Sequence, residues 1–447
     1  MKASPLRRHR CAAVIAVASS SLFAVSGAAQ TVTYARNVAP IMQQKCQVCH
    51  QPNSIAPMSL LTYEDAKKYA PDIRDYVSAR IMPPWHIDRT VGIQQFKNDR
   101  GLTDEQIATI VKWIDSGTPL GDMRDMPPPA KFPDPNRWEL ADTYGAPDLI
   151  VRSQEFSVPA KGQDRWYRPT TDVVLTEPRW VRAIEIKPVN PNAKKVVHHV
   201  LATLLQQEDG GVTGLAHSAH DVQTSGGLFM EWAVGKTGQI FPPDAGKLMM
   251  PGSRIRWEIH THAIGELFDK QQVELAVYFY PKGVTPQRRT VLRFFDVTRG
   301  SELDIPPGKV AMSQNFYVLQ APARLENFQP HMHMRGKAMS LEAVYPDGRK
   351  EMLSSVNNFQ WNWHVNYVYA DSVAPLLPKG TTLVFTAWHD NTAQNPNNPD
   401  PLQWVGWGDR TVDEMAHCWI DVTYLEPEDY ERLAAERASR RASSTRR

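Results

Sequence analysis

Cys46-Gln47-Val48-Cys49-His50 sets two thiols either side of a two-residue gap, with an imidazole directly after the second. Thiols so spaced add to the two vinyl groups of a haem, and the adjacent histidine is then held beneath the iron as proximal ligand. A zinc half-site would need a second pair of ligands, and none lies nearby at the right spacing. A redox dithiol would sit at the start of a helix in a βαβ setting, which is absent here. The motif therefore predicts one covalently bound c-type haem on Cys46, Cys49 and His50. Two methionines are available as its sixth ligand. Met58 is so near the attachment motif that a loop has little length to pass round the ring edge. Met82 lies in the stiff, extended run Ile81-Met82-Pro83-Pro84-Trp85 and is the favoured ligand. Either could instead be a core methionine; as a ligand, a thioether raises the reduction potential and suits electron transfer.

Most of the fourteen histidines lie further along, several in close pairs. His198-His199 follows the strand-like run Lys194–Val197. His260-Thr261-His262 ends another run, Arg254–Ile259, and His331-Met332-His333 follows Phe328-Gln329-Pro330. Residues two apart point to the same side of a strand, so His331 and His333 form a natural chelate. His198 and His199 are adjacent and can serve one ion only if the backbone bulges or turns there. A single histidine is most often a surface or hydrogen-bonded core residue; three pairs in one module point to metal. Imidazole suits copper, zinc, iron and nickel alike. A two-zinc hydrolase would use bridging carboxylates, and facial-triad iron needs one as well, yet no acid lies beside these pairs. A thioether in the ligand set would tip the choice toward copper, Cu(I) above all.

The elements that must carry these residues change in texture along the chain. Residues 32–122 read as a small helical domain. Val38, Ile41 and Met42 share a helical face before the cysteine pair. Thr103 with Gln106 caps a helix whose stripe is Ile107, Ile110, Val111 and Ile114, and Gly117 stops it. A proline-rich stretch, 123–146, reads as a semi-rigid spacer. Beyond it, short β-rich runs at Asp148–Val151, Trp180–Ile186, Val196–Leu205, Arg254–His260, Val273–Tyr280 and Thr382–Trp388 alternate with turn residues, which predicts β-sandwiches. Their combined length suits two lobes, 147–299 and 300–426, with a boundary near Gly300. The tail, 427–447, reads as a frayed helix or a disordered end.

Lys2, Arg7, Arg8 and Arg10, then the apolar Cys11–Val25 run, then Ser26-Gly27-Ala28-Ala29 form the layout of a secretory signal over residues 1–29. The apolar run is too short to span a bilayer, and no other stretch is long and apolar enough, so no integral span is expected. Net charge is +2, and losing four basic residues with the signal brings it to about −2, which gives no nucleic-acid footprint. Of four cysteines, Cys11 leaves with the signal and Cys418 stands alone, so there is no disulfide framework. A periplasmic or secreted protein is expected, and the export also suits haem attachment.

Residues 32–122 resemble a bacterial class I cytochrome c domain, including the ligand loop around Met82. The β-rich part, roughly Pro147 to Glu426, resembles the type II copper, ascorbate-dependent monooxygenases, among them peptidylglycine α-hydroxylating and dopamine β-monooxygenase. Four motifs in order carry this likeness: His198-His199, Ile259-His260, Pro330-His331-Met332-His333-Met334-Arg335-Gly336, and Thr411-Val412-Asp413-Glu414-Met415. Asp390-Asn391-Thr392 and Asn395-Pro396-Asn397-Asn398-Pro399-Asp400 also look like bacterial members. The resemblance implies two jelly-roll sandwiches, each with one copper, facing across an open cleft. It implies His198, His199 and His260 at an electron-storing copper, with His260 preferred to His262. It also implies His331, His333 and Met415 where oxygen is activated, His417 being a lesser rival to Met415. His217, His220, His364 and His389 match no ligand motif. The eukaryotic enzymes are disulfide-rich and their substrate-binding residues find no match here.

The expected function is C–H hydroxylation of a small-molecule or peptide substrate with O2. The fused haem would relay electrons from an external donor. A non-enzymatic electron carrier or copper-binding protein would use the same ligands, and so would a zinc hydrolase or a docking module for a respiratory assembly.

Overall fold

The computed structural model describes residues 31–444 except 53, 55, 133, 135–136, 208–226, 234–235, 237 and 298–301. Residues 1–29, read above as an export signal, lie outside the described residues with Cys11, as do His217, His220 and Gly300. The chain is mostly β-sheet with few helices.

The N-terminal unit is helical because its apolar residues recur every three to four positions and its ends are capped. A first helical run, Tyr34–Val38 continued by Ala39–Lys45, delivers Cys46 at its end. Tyr63–Lys68 starts at a reciprocal box between Thr62 and Asp65. Asp104–Asp115 starts at another between Thr103 and Gln106 and is followed by Gly117 at a φ of 85°. Tyr34, Val38, Met42, Ile73, Val77, Ile110 and Trp113 close one core among them.

Residues 85–98 leave that unit. Pro83 and Pro84 forbid a helix there, and Trp85 and Ile87 bury themselves in the core of the second β-lobe. Asp88 N–H donates to the Ser355 carbonyl (2.7 Å), Ile93 to Leu353 (2.9 Å) and Lys97 to Val368 (2.8 Å), so the segment lies along that lobe through backbone bonds.

The proline-rich connection is more than a spacer at its far end. Leu140 is buried with Ala183, Ala276 and Tyr278 of the first lobe. The Glu185 carboxylate accepts N–H groups from Glu139 (2.7 Å) and Leu140 (3.0 Å). Burial raises the pKa of Glu185 above the ordinary carboxyl range. A raised value in the fold means that its contribution is complete at acid pH and fades as pH rises through that value. Glu185→Ala is expected to cost about 2 kcal/mol by orphaning two donors. Glu185→Gln, neutral with one acceptor kept, should gain on wild type as pH rises from 5 to 8. Denaturant melts at several pH values check both.

Each lobe is two packed sheets. In the first, Leu149–Arg152, Val273–Phe279, Arg179–Pro188 and Ala245–Met249 form one sheet, and Arg165–Tyr167, Arg254–Thr261, Val197–Leu205 and Gly227–Ala233 the other. Val181, Ile184, Leu275, Val200 and Trp257 fill the space between. In the second, Arg288–Asp296 and Ala416–Tyr424 lead one sheet, with Ala323–Leu325 and Asn327–Met332 beyond. Val310–Val318, Thr382–Asp390, Gly336–Val344 and Lys350–Val356 form the other. The six β-rich runs named above are strands here, within two residues at their ends, but Lys194 and Lys195, read as strand-like before His198, belong to the short helical turn Pro191–Lys195. The lobe boundary is a correction. Arg288–Asp296, assigned above to the first lobe, pairs along its length with Ala416–Tyr424, so the second lobe begins ahead of Arg288. Its first residues also pair in parallel with Ala245 and Gly246, which joins the lobes through one continuous sheet. Pro427–Ser444 is a helix. No helix among the described residues is long and apolar enough to cross a membrane.

Candidate metal centre

The first trio is built by two neighbouring strands. His260 pairs with His199, but the next residue, Thr261, pairs with Val197, so His198 is the extra residue of a bulge. That bulge lets two adjacent histidines turn toward one point: their Nδ1 atoms are 3.3 Å apart. One ring nitrogen from each of His198, His199 and His260 lies within 4.8 Å of the others. His260 is held from behind. Its Nε2 bonds Asp164 at 2.9 Å, leaving Nδ1 buried with no partner. A carboxylate on the outer nitrogen fixes the tautomer and aims the inner lone pair, as it does for metal-bound histidines. Trp166 stacks on the ring, centroids 4.3 Å apart. Burial lowers the pKa of His198 to about 4 and pushes His199 well below the ordinary value, so both imidazoles are neutral and free to ligate. His262 is exposed and lies outside this trio.

On the other side, His331 sits on Asn327–Met332, directly paired with His417 on Ala416–Tyr424. Paired residues share a face, and the two rings stack at 4.5 Å with His417 Nε2 buried and unpartnered. His333 lies just past the strand end, its ring 5.2 Å from that of His331. Its Nδ1 donates to the Asp413 carbonyl at 3.1 Å, which leaves Nε2 for a ligand role. Glu414 sets the turn between these histidines: its carboxylate accepts the N–H of His333 (3.0 Å) and of Arg335 (2.5 Å). Gly336 closes the turn where a Cβ would stand 2.6 Å from that of Met332 and 2.8 Å from Phe359, so only glycine fits. Met415 is half-buried, two residues ahead of His417, and its carbonyl accepts a hydrogen bond from His389 Nε2 at 3.1 Å.

The structure adds a histidine that the motifs do not mark. His364 is buried in the loop before Tyr367–Val368, and its ring is 4.6 Å from His331, 5.2 Å from His198 and 5.5 Å from His199. The two histidine groups are therefore not parted by an open cleft at this level. They meet at His364.

Aimed, unpartnered imidazole nitrogens with no carboxylate among them fit a soft divalent or monovalent metal such as copper. In the helical unit, Cys46 and Cys49 are free, half-buried thiols, and His50 Nδ1 donates to the Met58 carbonyl at 3.3 Å. Burial pushes the Cys46 thiol up to about 12 and raises Cys49, so neither is a reactive thiolate. His50 Nε2 is left for an axial role, which fits a haem. Met82 is half-buried, with a cis bond to Pro83.

No family model and no curated protein matches the chain. Among solved structures, the cowpea mosaic virus top component is 10% identical, with a TM-score of 0.27, over 65% of this chain and 92% of that one. The glycosylasparaginase PNGase F of Flavobacterium meningosepticum is 10% identical, with a TM-score of 0.28, over 62% of this chain and 96% of that one.

Proposed function

We propose that the chain is an exported copper-dependent monooxygenase that hydroxylates a C–H bond with O2. Electrons would come from an external donor through a c-type haem held by a cytochrome c-like helical unit. The two β-lobes are then jelly rolls, with His198, His199 and His260 holding one copper and His331, His333 and Met415 the other. Cys46 and Cys49 would anchor the haem, with His50 and Met82 as its axial ligands. The observation that carries this reading is the convergence of His198, His199 and His260, with the unpartnered Nδ1 of His260 aimed inward by Asp164. Bound copper would supply one-electron redox and oxygen activation, and bound haem one-electron delivery.

The chain's own groups do the rest. Asp164 keeps the His260 proton on Nε2, and the Asp413 carbonyl keeps the His333 proton on Nδ1. Trp166 and Trp419 wall the imidazoles: Trp419 lies 5.1 Å from His331 and 4.6 Å from His417. Burial holds His198, His199, His331, His333, His364 and His417 below the ordinary imidazole pKa and so neutral. Carboxylates stay outside the ligand set, which disfavours a two-zinc hydrolase. The meeting of both histidine groups at His364 favours a second reading, a non-enzymatic electron carrier with the same ligands.

Copper-loaded protein supplied with reductant and 18O2 should place labelled oxygen in a product drawn from small-molecule and peptide candidates. Met415→Ala is expected to lower that yield at least about 10³-fold with haem absorbance unchanged. Retained yield would remove Met415 from the reaction, and redox cycling of wild type without product would favour the carrier.

A further inference from the structure

We propose that His364 is itself a copper ligand, contributed by the second lobe where the two histidine groups meet, so that both ions belong to one continuous imidazole centre. This rests on the copper reading above.

Three observations carry it. His364 Nδ1 lies 3.3 Å from His331 Nδ1, both side chains being buried. Two ring nitrogens approach so closely either when one donates to the other or when both face a shared cation. The same 3.3 Å separation relates His198 Nδ1 to His199 Nδ1, a pair that belongs to the convergent trio of the first lobe. Second, among the described residues no carboxylate, carbonyl or hydroxyl bonds the His364 ring; its ring contacts are His198, His199, His331 and Trp419. A buried imidazole among other imidazoles has lost water and gained only weak partners, an arrangement that costs stability unless a cation is shared. Third, the backbone holds it there. Phe328 pairs with Tyr367 and Asn327 with Val368, placing the end of the His364 loop against the strand that bears His331. Asn327 Nδ2 donates to Asn366 Oδ1 at 2.6 Å, and Asn98 Nδ2 to the Asn366 carbonyl at 2.7 Å, two residues beyond His364. Such outer supports orient ligands in metal sites.

The consequence is chemical. A nitrogen ligand from His364 makes the second site harder than two imidazoles and a thioether alone, and it ties ligand geometry in one lobe to the position of the other. His331 and His199 then cease to act independently.

The test uses the full-length protein carrying its haem, stripped of metal and titrated with Cu(II) alone. Copper per chain is measured by elemental analysis, affinity by competition with a chelator, and coordination by electron paramagnetic resonance. Wild type should bind two ions. His364→Leu should bind one of them at least about tenfold more weakly, with altered nitrogen hyperfine lines. His364→Met, which restores a soft ligand, should recover the affinity of that ion with a sulfur-type spectrum. Haem absorbance and the melting curve of metal-free samples report folding independently of copper. His364→Leu binding two ions with wild-type affinity and spectrum would overturn the proposal. So would equal losses in the Leu and Met variants when both melt like wild type. If Leu alone misfolds, the Met variant decides through its spectrum: sulfur coordination supports the proposal, and an unchanged nitrogen spectrum overturns it. Wild type that takes up no copper would instead overturn the copper reading itself.

Discussion

Glu414→Ala is expected to cost the fold about 3–5 kcal/mol and, on the copper reading proposed above, to weaken copper binding in the second lobe more than in the first. Glu414 is fully buried, and each of its oxygens takes one backbone N–H of the turn that carries His333: that of His333 at 3.0 Å and that of Arg335 at 2.5 Å. Alanine leaves both donors buried without a partner, beside Arg335, whose own guanidinium is fixed by Asn391 and the Val412 carbonyl. The His331–His333 spacing then loses its brace. Glu414→Gln keeps one acceptor, so it should retain roughly half of the stability and weak copper binding. Burial raises the Glu414 pKa to about 8. A raised value in the fold means that its contribution is complete below the ordinary carboxyl pKa and is lost as pH rises through about 8. Metal-free wild type should therefore lose stability relative to Glu414→Gln between pH 5 and pH 8. Equal melting of the two variants across that range would show that Glu414 is no brace. Copper counts on each variant separate loss of the site from loss of the fold.

What could be read from the sequence was whatever is local. The Thr103 and Gln106 cap, the stop at Gly117 and the six strands are set by neighbours a few residues away. The histidine pairs are visible for the same reason. The need for a bulge at His198 also follows from the adjacency alone, and the structure places an irregularity there. His364 had no such signal. It is a lone histidine in Gln360-Trp361-Asn362-Trp363-His364, and its place is fixed by pairing between Asn327–Met332 and Tyr367–Val368, some forty residues apart. The only hint is the dense aromatic run, unusual for an exposed loop. The first-lobe limit near Gly300 failed similarly. Arg288–Asp296 reads as a generic strand, and only its long-range partner, Ala416–Tyr424, assigns it to the second lobe. Residues 85–98 sit between two helical segments, so sequence order groups them with the helices. Their apolar side chains instead find a sheet edge prepared by Ser355, Leu353 and Val368.

Because that segment links the two kinds of domain, Trp85→Ala should separate them. Trp85 is 5% exposed, and its ring meets Tyr367 edge-on at 4.8 Å and Phe96 at 5.5 Å. Next to it, His86 N–H donates to the Tyr367 hydroxyl at 3.1 Å. Removing a buried indole costs about 3–5 kcal/mol, and here the loss falls where residues 85–98 pack into the second-lobe core. The helical core around Trp113 does not contain Trp85, and the second-lobe strands keep their own pairing. The expected result is thus cleavage by protease within residues 85–98, with haem attachment and copper content preserved. The same contact matters for electron delivery in the proposed function. Trp85 stands three residues beyond Met82, and Tyr367 three beyond His364, so the Trp85–Tyr367 contact joins the proposed haem loop to the loop that carries His364. Stopped-flow oxidation of prereduced haem by bound Cu(II) should slow at least about tenfold in Trp85→Ala, a barrier rise of about 1.4 kcal/mol. In Tyr367→Phe, which loses the hydroxyl and keeps the ring, oxidation should slow less. A rate unchanged in both variants, with the segment demonstrably released, would mean that electrons reach the histidines by another path.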